Sequence, residues 1–129
     1  MARKKVDDRL RPVVLVVDSD RSELTRLATI LRNEGYEVLE ADTFQAAMSS
    51  LQSAPTRVLI TTVRLGPYNG LHLIVRCRIS RPEVVSILTH NEDDSMLRDE
   101  AALNDAAFLL RPCSPEILTH AVAASLGRG

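Results

Sequence analysis

The chain has 129 residues, of which 45% are hydrophobic, and this is enough for one compact domain with a buried core. A formal net charge of -1 argues against nucleic-acid binding by this domain, and two cysteines are too few for a disulfide framework. No apolar run reaches the length of a membrane span and no signal peptide is evident, so we expect a cytoplasmic protein without a membrane partner.

Residues 1–11 mix basic and acidic side chains, and we expect them to form a flexible tail. Val13–Val17 is a continuous β-branched run, which is typical of a strand buried on both faces. Asp20 and Glu23 form a pattern like a capping box, which predicts the start of a helix that Gly35 ends. One face of this helix carries Leu24, Leu27, Ala28 and Leu31.

The next two strands are predicted at Tyr36–Ala41 and Arg57–Thr62. Thr43 is a candidate N-cap for the helix between them, whose inward face would carry Phe44, Ala47, Met48 and Leu51. Turn residues fill the loop Leu65–Gly70. The helix after this loop is expected to face inward with Leu71, Ile74, Val75 and Ile79.

Val84–Leu88 is a predicted fourth strand, followed by a fourth helix at Asp93–Leu103 with Asn104 as its left-handed C-terminal cap. Ala107–Leu110 is the fifth strand, and a last helix begins after Ser114. Five strand–helix units with short connections predict an α/β fold with one parallel sheet and helices on both faces.

Polar residues follow four of the predicted strands. If the strand order is 2-1-3-4-5, these strand ends converge at the carboxyl edge of the sheet, where ligands bind in such folds. The residues concerned are Asp18, Ser19, Thr62, Thr89 and Arg111.

Four segments, in order and at matching spacing, resemble the receiver domain of bacterial two-component response regulators, the CheY-like family. They are Val16–Asp20, Arg64–Leu71, Ser86–Thr89 and Phe108–Pro112. The resemblance covers residues 12–126, and it implies a flavodoxin-like (βα)5 doubly wound parallel sheet with strand order 2-1-3-4-5. It also implies a receiver-like domain at 12–127 that acts in phosphorelay signal transduction.

The departures from the family pattern fall on the phosphorylation pocket. The resemblance implies three carboxylates there, but only Asp18 is acidic, since Ser19 occupies the second position and Thr62 that of the phospho-acceptor aspartate. Mg²⁺ requires hard oxygen ligands, so we expect its binding to be weak or absent, with no metal ligands, no cofactor and no catalytic residue. Arg111 stands in place of the family's lysine, and we expect it to pair with Asp18.

Two further features carry over from the resemblance. Thr89 and Phe108 match the hydroxyl and the aromatic ring that move on activation in the family, and without a phosphoryl group we expect them to be static packing. The fourth helix, fifth strand and fifth helix form the family's usual output and dimer face. Its candidate contact residues here are Met96, Leu97 and Arg98.

We therefore interpret the chain as an atypical receiver that acts through phosphorylation-independent protein–protein interaction and is not an enzyme. Its partner would be another protein or a second copy of the chain. One alternative is a haloacid-dehalogenase-type phosphatase, because Asp18 and Asp20 form an Asp-x-Asp pattern after a strand. The other is the regulatory N-terminal domain of a longer DNA-binding regulator.

Overall fold

Residues 11–128 are the part of the chain that the computed structural model describes. The expectation of a flexible tail falls almost entirely outside this range. Within it, the elements follow in the order β1 (Val13–Val17), α1 (Arg21–Asn33), β2 (Glu37–Ala41), α2 (Phe44–Ser53), β3 (Thr56–Thr62), β4 (Arg64–Leu65), β5 (Tyr68–Asn69), α3 (Gly70–Ser80), β6 (Val85–His90), α4 (Ser95–Leu103), β7 (Ala107–Leu110) and α5 (Pro115–Arg128).

One five-stranded sheet organises the fold, and all its strand pairs are parallel in the order β2-β1-β3-β6-β7. Because β6 and β7 are the predicted fourth and fifth strands, this is the 2-1-3-4-5 order, and the flavodoxin-like (βα)5 fold is confirmed. The strands β4 and β5 form a separate antiparallel hairpin in the segment for which the sequence pattern predicts a loop.

Hydrophobic side chains cover both faces of the sheet, and every residue of β1 is buried. The first face packs against α1 and α5, and its helical contribution includes Leu24, Leu27, Leu31, Leu118 and Val122. The second face packs against α2, α3 and α4, and its helical contribution includes Phe44, Leu51, Leu73, Ile74 and Ala101. Of the nine residues of α4, Ala101 is the only one that is buried.

Helix α1 begins and ends where the sequence pattern places it. The Asp20 side chain accepts hydrogen bonds from the backbone N–H groups of Ser22 and Glu23, as an N-cap does. Gly35, just beyond the helix, has a φ of 99°, a left-handed value that glycine adopts without steric cost. The four predicted inward residues of α1 are its buried residues.

The predicted inward face of α3 is wrong at Ile79, which is 80% exposed. Leu73 and Cys77 are buried instead, and Val75 is only half-buried. With 3.6 residues per turn, a residue five positions after Ile74 is rotated by about 140° from it, so Ile79 cannot share that face.

Two details of the fourth helix also differ from the prediction. The helix begins at Ser95 rather than Asp93, because the side chain of Asp94 accepts a hydrogen bond from the N–H of Leu97 and caps it. The left-handed residue after the helix is Asp105, with a φ of 56°, whereas Asn104 has a φ of -104°.

The cap of α2 gives a first testable prediction. Thr43 accepts a hydrogen bond from the N–H of Ala46, so Thr43→Ala is expected to lower the free energy of unfolding by about 1 kcal/mol in urea denaturation. Thr25→Ala, at an exposed position within α1, is the matched control and should cause no loss, because alanine is the better helix former. Equal losses in the two variants would contradict a capping role for Thr43.

Within residues 11–128, no helix combines the length and apolar character that a membrane crossing needs.

Candidate functional site

Four polar residues meet at the carboxyl edge of the sheet. Thr62 and Thr89 form the last residue pair between the neighbouring strands β3 and β6. Asp18 follows β1 and Arg111 follows β7. Asp18, Thr62 and Thr89 are buried, and Arg111 is half-buried. We name these four residues the strand-end pocket.

An ion pair closes the strand-end pocket. The Arg111 Nη1 donates to Asp18 Oδ2 at 2.8 Å, and the Asp18 side chain is only 3% exposed. The second carboxylate oxygen, Oδ1, accepts the backbone N–H of Asp20 at 2.9 Å. The backbone N–H of Arg111 donates to the carbonyl of His90 at 2.8 Å, and this hydrogen bond holds the Arg111 backbone against the end of β6. The pairing expected between Arg111 and Asp18 is therefore present.

Burial dominates the protonation of Asp18. It raises the pKa of this carboxyl above its ordinary value, and the Asp20 N–H and the Arg111 guanidinium offset the rise only in part. Burial makes the charged form of Asp18 unfavourable, and the ion pair with Arg111 compensates part of that cost. Removal of the arginine would leave that charge without its compensating partner.

The side chains of Ser19 and Asp20 hydrogen-bond to groups outside the strand-end pocket. The Asp20 carboxylate caps α1, and hydrogen bonds from Ser22 and from the N–H of Glu23 hold the pKa of Asp20 below its usual value. Ser19 is exposed, and its Oγ donates to the carbonyl of Arg64 at 3.2 Å. The serine therefore ties the β1–α1 loop to the β4–β5 hairpin.

Two donors in the pocket are buried without a hydrogen-bond partner among the described residues. They are the hydroxyl of Thr89 and the Nε of Arg111. Within residues 11–128 there is also no group of three or more His, Cys, Asp or Glu side chains arranged to hold a metal ion.

Gly70, where α3 begins, lies directly against the end of β3. Its N–H donates to the carbonyl of Val63 at 2.7 Å, and a Cβ placed on it would lie 1.8 Å from the carbonyl oxygen of Thr62. Only a residue without a side chain permits this approach. The end of β3 and the start of α3 are thereby held in direct contact.

Phe108 and α4 are joined by a contact that is absent from the sequence-based predictions. Phe108 is half-buried, and the Cζ of Arg98 lies 4.7 Å from the centre of its ring. Arg98 also donates to Asp93 at 2.6 Å. A cation over an aromatic face is attracted by the ring quadrupole, so Arg98 fastens α4 to β7. The only sequence signal was the presence of both residue types, since their pairing depends on tertiary structure.

The three predicted contact residues on α4 have different surroundings. Met96 is 74% exposed, and Arg98 is exposed while covering the Phe108 ring. Leu97, by contrast, is half-buried against the core. The exposed large apolar residues Leu103, Leu110 and Ile117 were not singled out from the sequence.

Comparisons with known proteins agree with this architecture. A family model for the response regulator receiver domain matches residues 14–123. The alginate biosynthesis transcriptional regulatory protein AlgB of Pseudomonas putida is 32% identical over 115 residues, which cover 88% of this chain and 25% of AlgB. The chain therefore spans about a quarter of the length of that relative.

Solved receiver structures superpose over nearly the whole chain. The CheY-like receiver domain protein of Methanospirillum hungatei gives a TM-score of 0.86 at 22% identity, covering 92% of this chain and 95% of that one. The beryllofluoride-activated NtrC4 receiver domain dimer gives a TM-score of 0.85 at 25% identity, covering 90% and 97%. The parallel sheet, its strand order and the match over residues 14–123 place this chain in the response regulator receiver domain family.

Proposed function

We propose that this chain is a receiver that has lost aspartyl phosphorylation and signals through phosphorylation-independent protein contacts. The observation that carries the proposal is the strand-end pocket, in which one carboxylate is ion-paired with Arg111 and position 62 is threonine. Transfer of a phosphoryl group to a receiver aspartate requires an acceptor carboxylate, and Thr62 supplies none. A threonine hydroxyl is a weak nucleophile near neutral pH unless a base activates it.

The residues in the pocket do not fit a magnesium ion. Asp18 uses one oxygen for Arg111 and the other for the Asp20 N–H, while the Asp20 carboxylate caps α1. Mg²⁺ takes octahedral sets of oxygen ligands, usually with one or two carboxylates free to coordinate it. The proposed role of Arg111 is therefore to neutralise Asp18 and to hold the pocket in one state.

The same geometry speaks against the phosphatase alternative. An Asp-x-Asp enzyme needs both carboxylates directed at the substrate and a further acidic pair for the metal. Here Asp20 caps α1, Asp93 pairs with Arg98, and Asp94 caps α4. No observation on the described residues favours an enzyme, so we propose a non-catalytic, cytoplasmic interaction module.

The proposed contact surface is the α4–β7–α5 face. It exposes Met96, Leu103 and Leu110 beside charged residues of α4, a composition that suits a protein partner. The NtrC4 receiver domain, which is 25% identical to this chain, forms a dimer in its activated state, so a second copy is one candidate partner. AlgB is a transcriptional regulatory protein of which the chain spans a quarter, and this supports a regulatory domain of a longer regulator as a further candidate.

Intact-mass spectrometry after incubation with acetyl phosphate and Mg²⁺ tests the loss of phosphorylation. We expect no gain of a phosphoryl group, and no saturable amide shifts at Asp18, Thr62 or Thr89 when beryllofluoride is added to an NMR sample. The triple variant S19D/T62D/R111K restores the three carboxylates and the lysine, and it should gain one phosphoryl group. The double variant S19D/R111K retains Thr62 and is the control that should not. A mass gain in the unmodified chain would refute the proposal.

A further inference from the structure

The second face of the molecule carries two exposed surfaces of opposite charge. The first, which we name the α2–α3 groove, is a depression of about 440 Å³ lined by Met48, Leu51, Gln52, Arg76 and Ile79. The second, which we name the α4 stripe, consists of Met96, Asp99, Glu100 and Leu103. We propose that the α4 stripe of one copy of this chain docks into the α2–α3 groove of another, in a head-to-tail contact.

The groove is apolar and basic. Ile79 at its edge is 80% exposed, so most of this side chain remains in water. Helix α2 has no charged residue and α3 has no acidic one, whereas Arg76 is exposed. Arg81, at the end of the groove, is paired with Glu83 and adds no net charge. The groove therefore suits a helix with apolar and acidic side chains on one face.

The α4 stripe has that composition. Its four residues lie at positions i, i+3, i+4 and i+7, so they share one face of the helix. Met96 is 74% and Leu103 is 77% exposed, and the two acidic residues between them are also exposed. In the proposed contact, Met96 and Leu103 would pack against Met48 and Ile79 of the other copy and leave water. Arg76 of that copy would then face the carboxylates of Asp99 and Glu100.

Charge also decides between the arrangements of two copies. In a symmetric groove-to-groove contact, Arg76 would face Arg76 of the second copy. In a symmetric stripe-to-stripe contact, Asp99 and Glu100 would face the same two acidic residues of the second copy. Both bring like charges together, whereas the head-to-tail contact pairs opposite ones. A head-to-tail contact leaves one groove and one stripe free in every complex, so association continues beyond the dimer. A contact through one helix is small, and we expect it at high protein concentration.

Sedimentation equilibrium of the whole chain tests this inference, together with variants at the exposed residues Ile79 and Met96. The weight-average mass of the unmodified chain should rise with concentration past that of a dimer, and added salt should reduce it. Ile79→Asp blocks the groove and Met96→Asp blocks the stripe, so each variant alone should be monomeric. Mixed in equal amounts, they should form a one-to-one complex that does not grow. Ile117→Asp, which alters an exposed apolar residue outside both surfaces, is the matched control and should associate normally.

Three results would overturn the inference. They are a monomeric unmodified chain at every concentration, an Ile79→Asp variant that still self-associates, and a mixture of the two variants that stays monomeric. Self-association of the Ile79→Asp variant would indicate a contact that does not use the groove, with the α4–β7–α5 face as the next candidate. None of these results bears on the phosphorylation experiment, because the Ile79 and Met96 substitutions lie outside the strand-end pocket.

Discussion

Replacement of Gly70 by alanine is expected to lower the free energy of unfolding by about 3 kcal/mol, toward the upper end of the cost of overpacking. The added Cβ would lie 1.8 Å from the Thr62 carbonyl oxygen and 2.8 Å from the Thr61 hydroxyl. The nearer atom belongs to the backbone of β3, a strand in the centre of the sheet, and cannot move as the end of a flexible side chain does. Either β3 or the start of α3 must shift, and the Gly70–Val63 hydrogen bond is strained with them.

Urea denaturation of the Gly70→Ala and Gly127→Ala variants, each compared with the unmodified chain, separates the cost of the close contact at Gly70 from the general effect of replacing glycine by alanine. Gly127 lies near the end of α5, and a Cβ there meets nothing within 4 Å. Alanine at position 127 should therefore leave the stability unchanged or raise it slightly, because alanine favours a helix over glycine. A Gly70→Ala variant as stable as Gly127→Ala would show that the close approach at Thr62 does not constrain the fold.

Arg111→Met is expected to lower the free energy of unfolding by about 3 kcal/mol at neutral pH, because it leaves the buried Asp18 carboxylate without its cation. The same change should raise the pKa of Asp18 further, since burial already raises it and Arg111 is one of the groups that offset the rise. The folded state then holds a proton on Asp18 more tightly than the unfolded state, whose carboxyl has the ordinary value of 3.8. Stability from this group is present at low pH and is lost as the pH rises through the folded pKa.

The loss caused by Arg111→Met should therefore shrink as the pH falls toward 4. Urea denaturation at several pH values measures the change in stability, and an NMR titration of the Asp18 carboxyl carbon measures its pKa. The double variant D18N/R111M removes the charge as well as its partner, so it should recover part of the stability lost at neutral pH. A pKa that falls in Arg111→Met, or a stability loss that does not depend on pH, would contradict this account.

The sequence predicted the architecture well because its signals are local. The β-branched run of β1, the caps at Asp20 and Thr43 and the βα alternation each depend on neighbours within a few positions. The sheet order then followed from the family resemblance. The prediction of Ile79 as inward-facing was wrong because its spacing from Ile74 does not match the helical repeat.

The composition of the strand-end pocket could also be predicted, but its energetics could not. The ends of the strands identify Asp18, Thr62, Thr89 and Arg111, since parallel strands bring their carboxyl ends together. The direction of the Asp18 pKa depends on burial by residues far apart in the chain. The same holds for the contact between Arg98 and Phe108, which no local pattern specifies.

The shallow anchoring of α4 has a consequence for its motions. With Ala101 as its one buried residue, Leu97 half-buried and the Arg98 side chain over the Phe108 ring, α4 buries little apolar surface against the sheet. Local opening of such a segment costs less free energy than unfolding of the whole domain. The amide hydrogens of α4 are therefore expected to exchange with solvent ahead of those in β1 and β3, and a partner bound to α4 should be detected as protection of these amides from exchange.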